Sequence, residues 1–151
     1  MKKYLLLLTL LSYSVAETYT FLVKPYHKEI ELEAKIISEI AHASLGTEVK
    51  LFIPNISEIE KEVYAAHFTL SQTCEASNFV FVNKTVEHES LCGTSNRLFF
   101  TNNYRKLLSD KTYYGALFWN KSRPNIVFIQ KRLEANRITL PQAFAPFVEN
   151  F

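Results

Sequence analysis

The five residues Asn78 to Val82 (NFVFV) constrain the fold more than any other stretch of this chain. They form a compact apolar run without alternation. Such a run suits a strand covered on both faces, as in the parallel sheets of α/β proteins. Its neighbours extend the pattern. Arg97 to Thr101 (RLFFT) is a second short apolar strand, and Phe68 to Leu70 a brief one. Glu48 to Ile53 (EVKLFI) reads as a strand stopped by Pro54. Tyr19 to Val23 (YTFLV) reads as an edge strand ended by Pro25.

Helical spacing fills the gaps. Over His27 to Ala43, residues Ile30, Ala34, Ile37, Ile40 and Ala41 fall on one face, and Gly46 supplies a stop. Asn55 or Ser57 could cap the next helix, Ile56 to Ala66, and Ser57 with Glu60 makes the pattern of a capping box. Val86 to Leu91 suggests a helical turn, and Asn102 to Leu108 a short helix. Alternating strands and helices predict an α/β domain, a three-layer sandwich around a mostly parallel sheet. Tyr113 to Trp119 and Asn125 to Gln130 are strong strands separated by Asn120 to Pro124, five polar, turn-like residues. They predict a β-hairpin, an antiparallel edge on the C-terminal side of the sheet. Lys131 to Asn136 reads as a short helix, and Pro141 as the first turn of a last one, Gln142 to Glu149.

The N-terminus sets the compartment. Lys2 and Lys3 precede an apolar run from Leu5 to Leu11, and Ser14-Val15-Ala16 places small residues where a signal peptidase cuts. Residues 1–16 therefore read as a secretory signal peptide of bacterial type, with the periplasm or the exterior as destination. The alternative is an uncleaved anchor, although the run is short of the ~20 residues that span a bilayer. Cleavage after Ala16 leaves residues 17–151, one domain of about 135 residues. The sequence is 48% hydrophobic with three glycines, a globular composition. Its formal charge is +2, and two of the lysines lie in the signal. A near-neutral domain offers no strong attraction for nucleic acid or an anionic membrane.

Both cysteines, Cys74 and Cys92, lie in the exported part. In an oxidising compartment they predict one disulfide, closing a loop worth about 3 kcal/mol of chain entropy. Two buried thiols are the alternative. No C-x-x-C pair and no second ligand pair at metal spacing are present.

Candidate chemistry is sparse. Glu87-His88-Glu89 is the one acid–histidine cluster; a metal or proton-transfer site there needs partners from elsewhere in the fold, and a solvated helical turn is the plainer reading. There is no G-x-S-x-G, and Gly46, Gly93 and Gly115 are isolated, so no phosphate loop exists. No cofactor is implied. Asn55, Asn83 and Asn120 begin sequons that matter only in a eukaryotic host. The hairpin tip gathers aromatic and cationic groups: Phe118, Trp119, Lys121 and Arg123, with Pro124. That mix is enriched at protein interfaces. The plainer reading has Phe118 and Trp119 alternating across the sheet, one of them into the core.

From Cys74 onward the chain resembles the YfiR-like periplasmic family. The order of features carries the resemblance: Cys74 just before Asn78 to Val82, the glycine-containing strand Tyr114-Gly115-Ala116-Leu117-Phe118, then Ile126-Val127-Phe128-Ile129 and the close from Leu133 to Phe144. The chain departs from the family in three places. Its first helix has no aromatic after its start, it has one cysteine pair, and its approach to the penultimate strand keeps only Gly115. The resemblance implies a non-enzymatic periplasmic regulator. It would bind the periplasmic part of an inner-membrane diguanylate cyclase and release it under redox or envelope stress. A small-ligand binding protein of the envelope is the alternative.

Overall fold

A computed structural model of the chain describes residues 25–46, 48–83, 86 and 91–151. The signal segment 1–16, the strand expected at Tyr19 to Val23 and the Glu87-His88-Glu89 cluster lie outside the described residues, as does most of the turn expected at Val86 to Leu91.

Chain order gives helix α1 (Pro25–Leu45), β1 (Lys50–Phe52), α2 (Glu58–Ala65), β2 (Thr69–Leu70), β3 (Phe79–Val82) and β4 (Leu98–Thr101). Then come α3 (Tyr104–Ser109), β5 (Tyr113–Asn120), β6 (Arg123–Ile129), α4 (Gln130–Ala135), a 3₁₀ segment (Gln142–Phe147) and β7 (Val148–Glu149). The strands make one seven-stranded sheet in the order β2-β1-β3-β4-β5-β6-β7. Every neighbouring pair is parallel except β5 with β6. The predicted α/β sandwich with a mostly parallel sheet and a hairpin toward its C-terminal edge is therefore the observed fold.

The chain leaves β1 for β2 on one side and then crosses to β3 on the other, which is doubly wound topology. Both sheet faces are covered. On one face Ile30, Ile37 and Ile40 of α1 and Tyr64 of α2 pack on Phe79, Phe81, Phe100, Tyr114 and Phe128. On the other, Leu107 of α3 packs with Val80, Val82, Phe99, Tyr113 and Cys74. All four residues of β3 are buried, which is why their sequence does not alternate.

The helix ends follow their local chemistry. Gly46 has a φ of 64° and its N–H donates to the His42 carbonyl at 2.9 Å, closing α1. α1 begins at Pro25, two residues before the expected start, because proline suits the first helical position. At α2 the Ser57 hydroxyl accepts from the Glu60 N–H while the Glu60 carboxylate accepts from the Ser57 N–H, the reciprocal pair the sequence predicts.

The expected last helix, Gln142 to Glu149, is instead a 3₁₀ segment followed by a two-residue strand parallel to β6. Pro146 has no N–H to give and blocks an α-helical ladder. None of the six residues of the segment is fully buried, so no packing overrides that local preference.

β5 carries one residue too many. Phe99 pairs with Tyr113 but Phe100 pairs with Gly115, so Tyr114 is a bulge. The bulge turns Tyr114 and Gly115 toward the same face, under α1. Tyr114 takes the space, and its hydroxyl lies 2.8 Å from Ser44 Oγ. Ser44 itself donates to the Ile40 carbonyl, so Tyr114 is the donor of that pair. Gly115 is left with no room: a Cβ there would lie 2.4 Å from Phe100 and 2.9 Å from the Val127 carbonyl oxygen.

Charge divides along the chain. Residues 25–83 hold nine glutamates, no aspartate and four lysines, whereas residues 91–151 hold nine lysines or arginines against three acids. The fold does not keep that division in space: β3 and β4 are hydrogen-bonded neighbours, and α1, with four of the nine glutamates, meets β5 through Ser44 with Tyr114 and Glu33 with Trp119.

Candidate functional site

The hairpin is built by its turn. Asn120 pairs with Arg123, so the loop is only Lys121-Ser122, and Arg123 and Pro124 belong to β6 rather than to the expected five-residue turn. Both loop residues have positive φ, 48° and 60°, which a two-residue turn of type I′ requires. Neither is the asparagine or glycine that usually accepts this conformation.

The four expected interface residues separate. Phe118 and Trp119 point to opposite faces of β5. Phe118 packs on Tyr104 of α3, with ring centroids 5.1 Å apart. Trp119 turns to α1, where its indole N–H donates to Glu33 Oε2 at 3.3 Å. The other oxygen of Glu33 accepts from the Tyr64 hydroxyl at 2.8 Å. Both aromatic side chains are half-buried, so of the four only Lys121 and Arg123 are exposed.

Glu33 thus links α1, α2 and β5. Burial raises its pKa, and Glu60 and Glu29 add to the rise, while the hydrogen bonds from Tyr64 and Trp119 oppose it. Burial beside the Glu33 charge pushes the Tyr64 phenol well above its ordinary value. Glu33 lies off the apolar face that the spacing predicts for α1, so the sequence pattern does not reveal this junction. No local signal marks it, because its partners lie 31 and 86 residues away.

The expected disulfide is present. Cys74 and Cys92 are joined with Cα atoms 5.8 Å apart. Cys74 is buried in the core of the α3 face. Arg97 supports the same region: Nε donates to the Cys74 carbonyl at 2.9 Å and Nη2 to the Glu75 carbonyl at 2.6 Å. Its Nη1 lies 3.0 Å from the carbonyls of Gly93 and Ser95. One planar guanidinium therefore spans both ends of the cross-linked loop, a fit to its fork of donors. The disulfide and Arg97 lie at the amino ends of β3 and β4, away from the hairpin tip at the carboxyl end of β5.

A crevice of about 640 Å³ opens at the carboxyl ends of β1 and β2, lined by Phe52, Ile53, Ile56, Leu70, Ser71 and Gln72 among others. It lies outside the carboxyl ends of the strands, the usual side for a ligand in such sheets, on the β2 flank of β1, where the strand order reverses. Lys61 also borders it and is paired with Glu58 at 2.6 Å. Among the described residues no group of three or more His, Cys, Asp or Glu side chains could hold a metal. His42 lies against Phe68, with ring centroids 6.4 Å apart. No helix among the described residues is long and apolar enough to cross a membrane.

The fold and the cross-link define a class, a doubly wound α/β domain carrying one disulfide. No family model, no curated protein and no solved structure matches the chain.

Proposed function

We propose that the protein is an exported, non-enzymatic binding module of the periplasm, which acts on the periplasmic part of an inner-membrane signalling protein such as a diguanylate cyclase. The observation that carries this reading is the hairpin tip. Lys121 and Ser122 hold left-handed backbone that costs a side-chain-bearing residue about 1–2 kcal/mol each. A lysine and a serine sit where asparagine and glycine would relax the turn, and strained positions of this kind cluster at functional surfaces. Lys121 and Arg123 are exposed there, on the rigid stem of β5 and β6. The N-terminal export pattern and the disulfide support the compartment. The likeness to the YfiR-like family supports the kind of partner.

The test is crosslinking of the mature protein in its native envelope, followed by capture and mass spectrometry. The wild type is expected to recover a membrane signalling protein, and Lys121→Glu with Arg123→Glu to lose it. Equal recovery by both proteins would remove the hairpin from the interface. Trp119→Ala is the poorer probe, because it also breaks the contact with Glu33.

A second reading is an envelope solute-binding protein, favoured by the crevice beside the reversal of strand order. A soluble ligand at 100 times its dissociation constant should stabilise the fold by about 2.7 kcal/mol. A thermal-shift screen reads that directly.

A further inference from the structure

A second cavity, of about 500 Å³, lies at the opposite end of β5 from the hairpin tip, between α3, α4 and the last residue of the chain. Its apolar lining is Leu108, Ile129, Ala135 and Phe151. Leu108 and Phe151 are among the most exposed large apolar side chains described, at 47% and 52%. Three cations, Lys111, Lys131 and Arg132, border the same space.

The cations have different employment. Arg132 is committed to the fold: its Nη1 donates to the carbonyls of Leu107, Asp110 and Tyr113 at 2.6–2.8 Å. Lys111 and Lys131 are exposed, and neither joins an ion pair among the described residues. Two acids are close in sequence. The Asp110 carboxylate accepts from the Thr112 N–H, and Glu134 accepts from Gln130. The cavity also sits in the half of the chain where lysine and arginine outnumber acids nine to three. An apolar recess of this volume with a few polar groups at its rim is the usual form of a small-molecule site.

We infer that this cavity binds a small anionic amphiphile, its apolar chain against Leu108, Ile129, Ala135 and Phe151 and its anionic head between Lys111 and Lys131. The site is distinct from the hairpin surface. The eight residues of β5 separate the two by about 26 Å, so it can fail without the partner-binding reading failing.

Calorimetry with monomeric decanoate tests the inference, with decanol as the uncharged control and acetate as the head without a chain. Decanoate should bind, and decanol and acetate should bind at least about tenfold more weakly. Lys111→Glu with Lys131→Glu should weaken decanoate by a similar factor while leaving the thermal unfolding profile in place, since both side chains are exposed. Leu108→Asp provides a second, independent loss from the apolar side. Equal binding of decanoate and decanol, or unchanged affinity in the double variant, would overturn the assignment. So would binding to phosphatidylglycerol vesicles with none to monomeric decanoate, which would make the lysines a surface attachment rather than the rim of a cavity.

Discussion

Trp119 on the hairpin and Glu33 on the first helix are 86 residues apart in sequence and share a hydrogen bond of 3.3 Å. Through it the outermost part of β5 reports to the helical layer. Glu33 binds its proton more tightly in the folded protein than its ordinary value of 4.5 allows, because burial disfavours the charge. The folded state therefore holds more protons than the unfolded one between those two pKa values, and stability falls as pH rises through that window. Above it the penalty is constant. Glu33→Gln should remove this part of the slope and leave the protein at least as stable as wild type at pH 7. The amide can still accept from Trp119 and donate to Tyr64, whose hydroxyl serves either way. Thermal unfolding from pH 4 to pH 8 checks this; a slope unchanged by the substitution would refute it.

Gly115→Ala tests the bulge. The new methyl would meet Phe100 at 2.4 Å and a backbone oxygen at 2.9 Å, and the backbone cannot turn aside. Overpacking of this kind costs about 1–3 kcal/mol or more. Urea denaturation should show a lower midpoint with an unchanged slope.

Cys74→Ala with Cys92→Ala removes a cross-link between residues 18 apart in sequence. The chain-entropy model gives a loss of about 3 kcal/mol. Arg97 should keep part of the loop in place, since its hydrogen bonds go to main-chain carbonyls and not to sulfur. Hydrogen exchange should therefore show the loop amides opening first while the β3 and β4 amides stay protected. A cooperative loss of both would show that the disulfide alone holds the region.

Arg132→Lys should destabilise despite keeping the charge. One nitrogen of the guanidinium serves the carbonyls of Leu107, Asp110 and Tyr113, joining the end of α3 to the start of β5. Hydrogen bonds from a charged donor contribute about 1.5–3 kcal/mol, and the shorter lysine side chain ends one bond short of this set of carbonyls. If Arg132→Lys and wild type unfold at the same temperature, the contacts contribute nothing net.

Lys121→Asn with Ser122→Gly should move stability and binding in opposite directions. The relaxed turn should gain about 1–2 kcal/mol, less than the summed strain because glycine loses more chain entropy on folding, while capture of the proposed membrane partner weakens. Unfolding and envelope crosslinking on the same preparation read both. A variant that is stabilised and still captures the partner fully would detach the strain from binding.

Most of the sheet was legible because its central strands are short and apolar, and the first helices because their apolar spacing and caps are local. Ser57 with Glu60, and Gly46 after α1, are decisions made within four residues. The Cys74–Cys92 bond was legible from the cysteine count and the expected compartment. What escaped depends on distance or register. The bulge at Tyr114 is set by what β4 and β6 offer on either side, and nothing in YYG announces it. Glu33 reads as one more surface glutamate until α2 and β5 close over it. The C-terminal strand Val148–Glu149 exists only because β6 offers an edge for two residues that would otherwise be tail.

The fold undoes the division of charge written along the chain. α1 carries Glu29, Glu31, Glu33 and Glu39 from the acidic half back to β5 of the basic half, where Glu33 meets Trp119 and Ser44 meets Tyr114. Charges of opposite sign are thereby brought together, and beyond about a Debye length, roughly 8 Å at physiological salt, their fields largely cancel. What another molecule reads electrostatically is then local: a pair of cations at a hairpin tip, and not the sign of a flank.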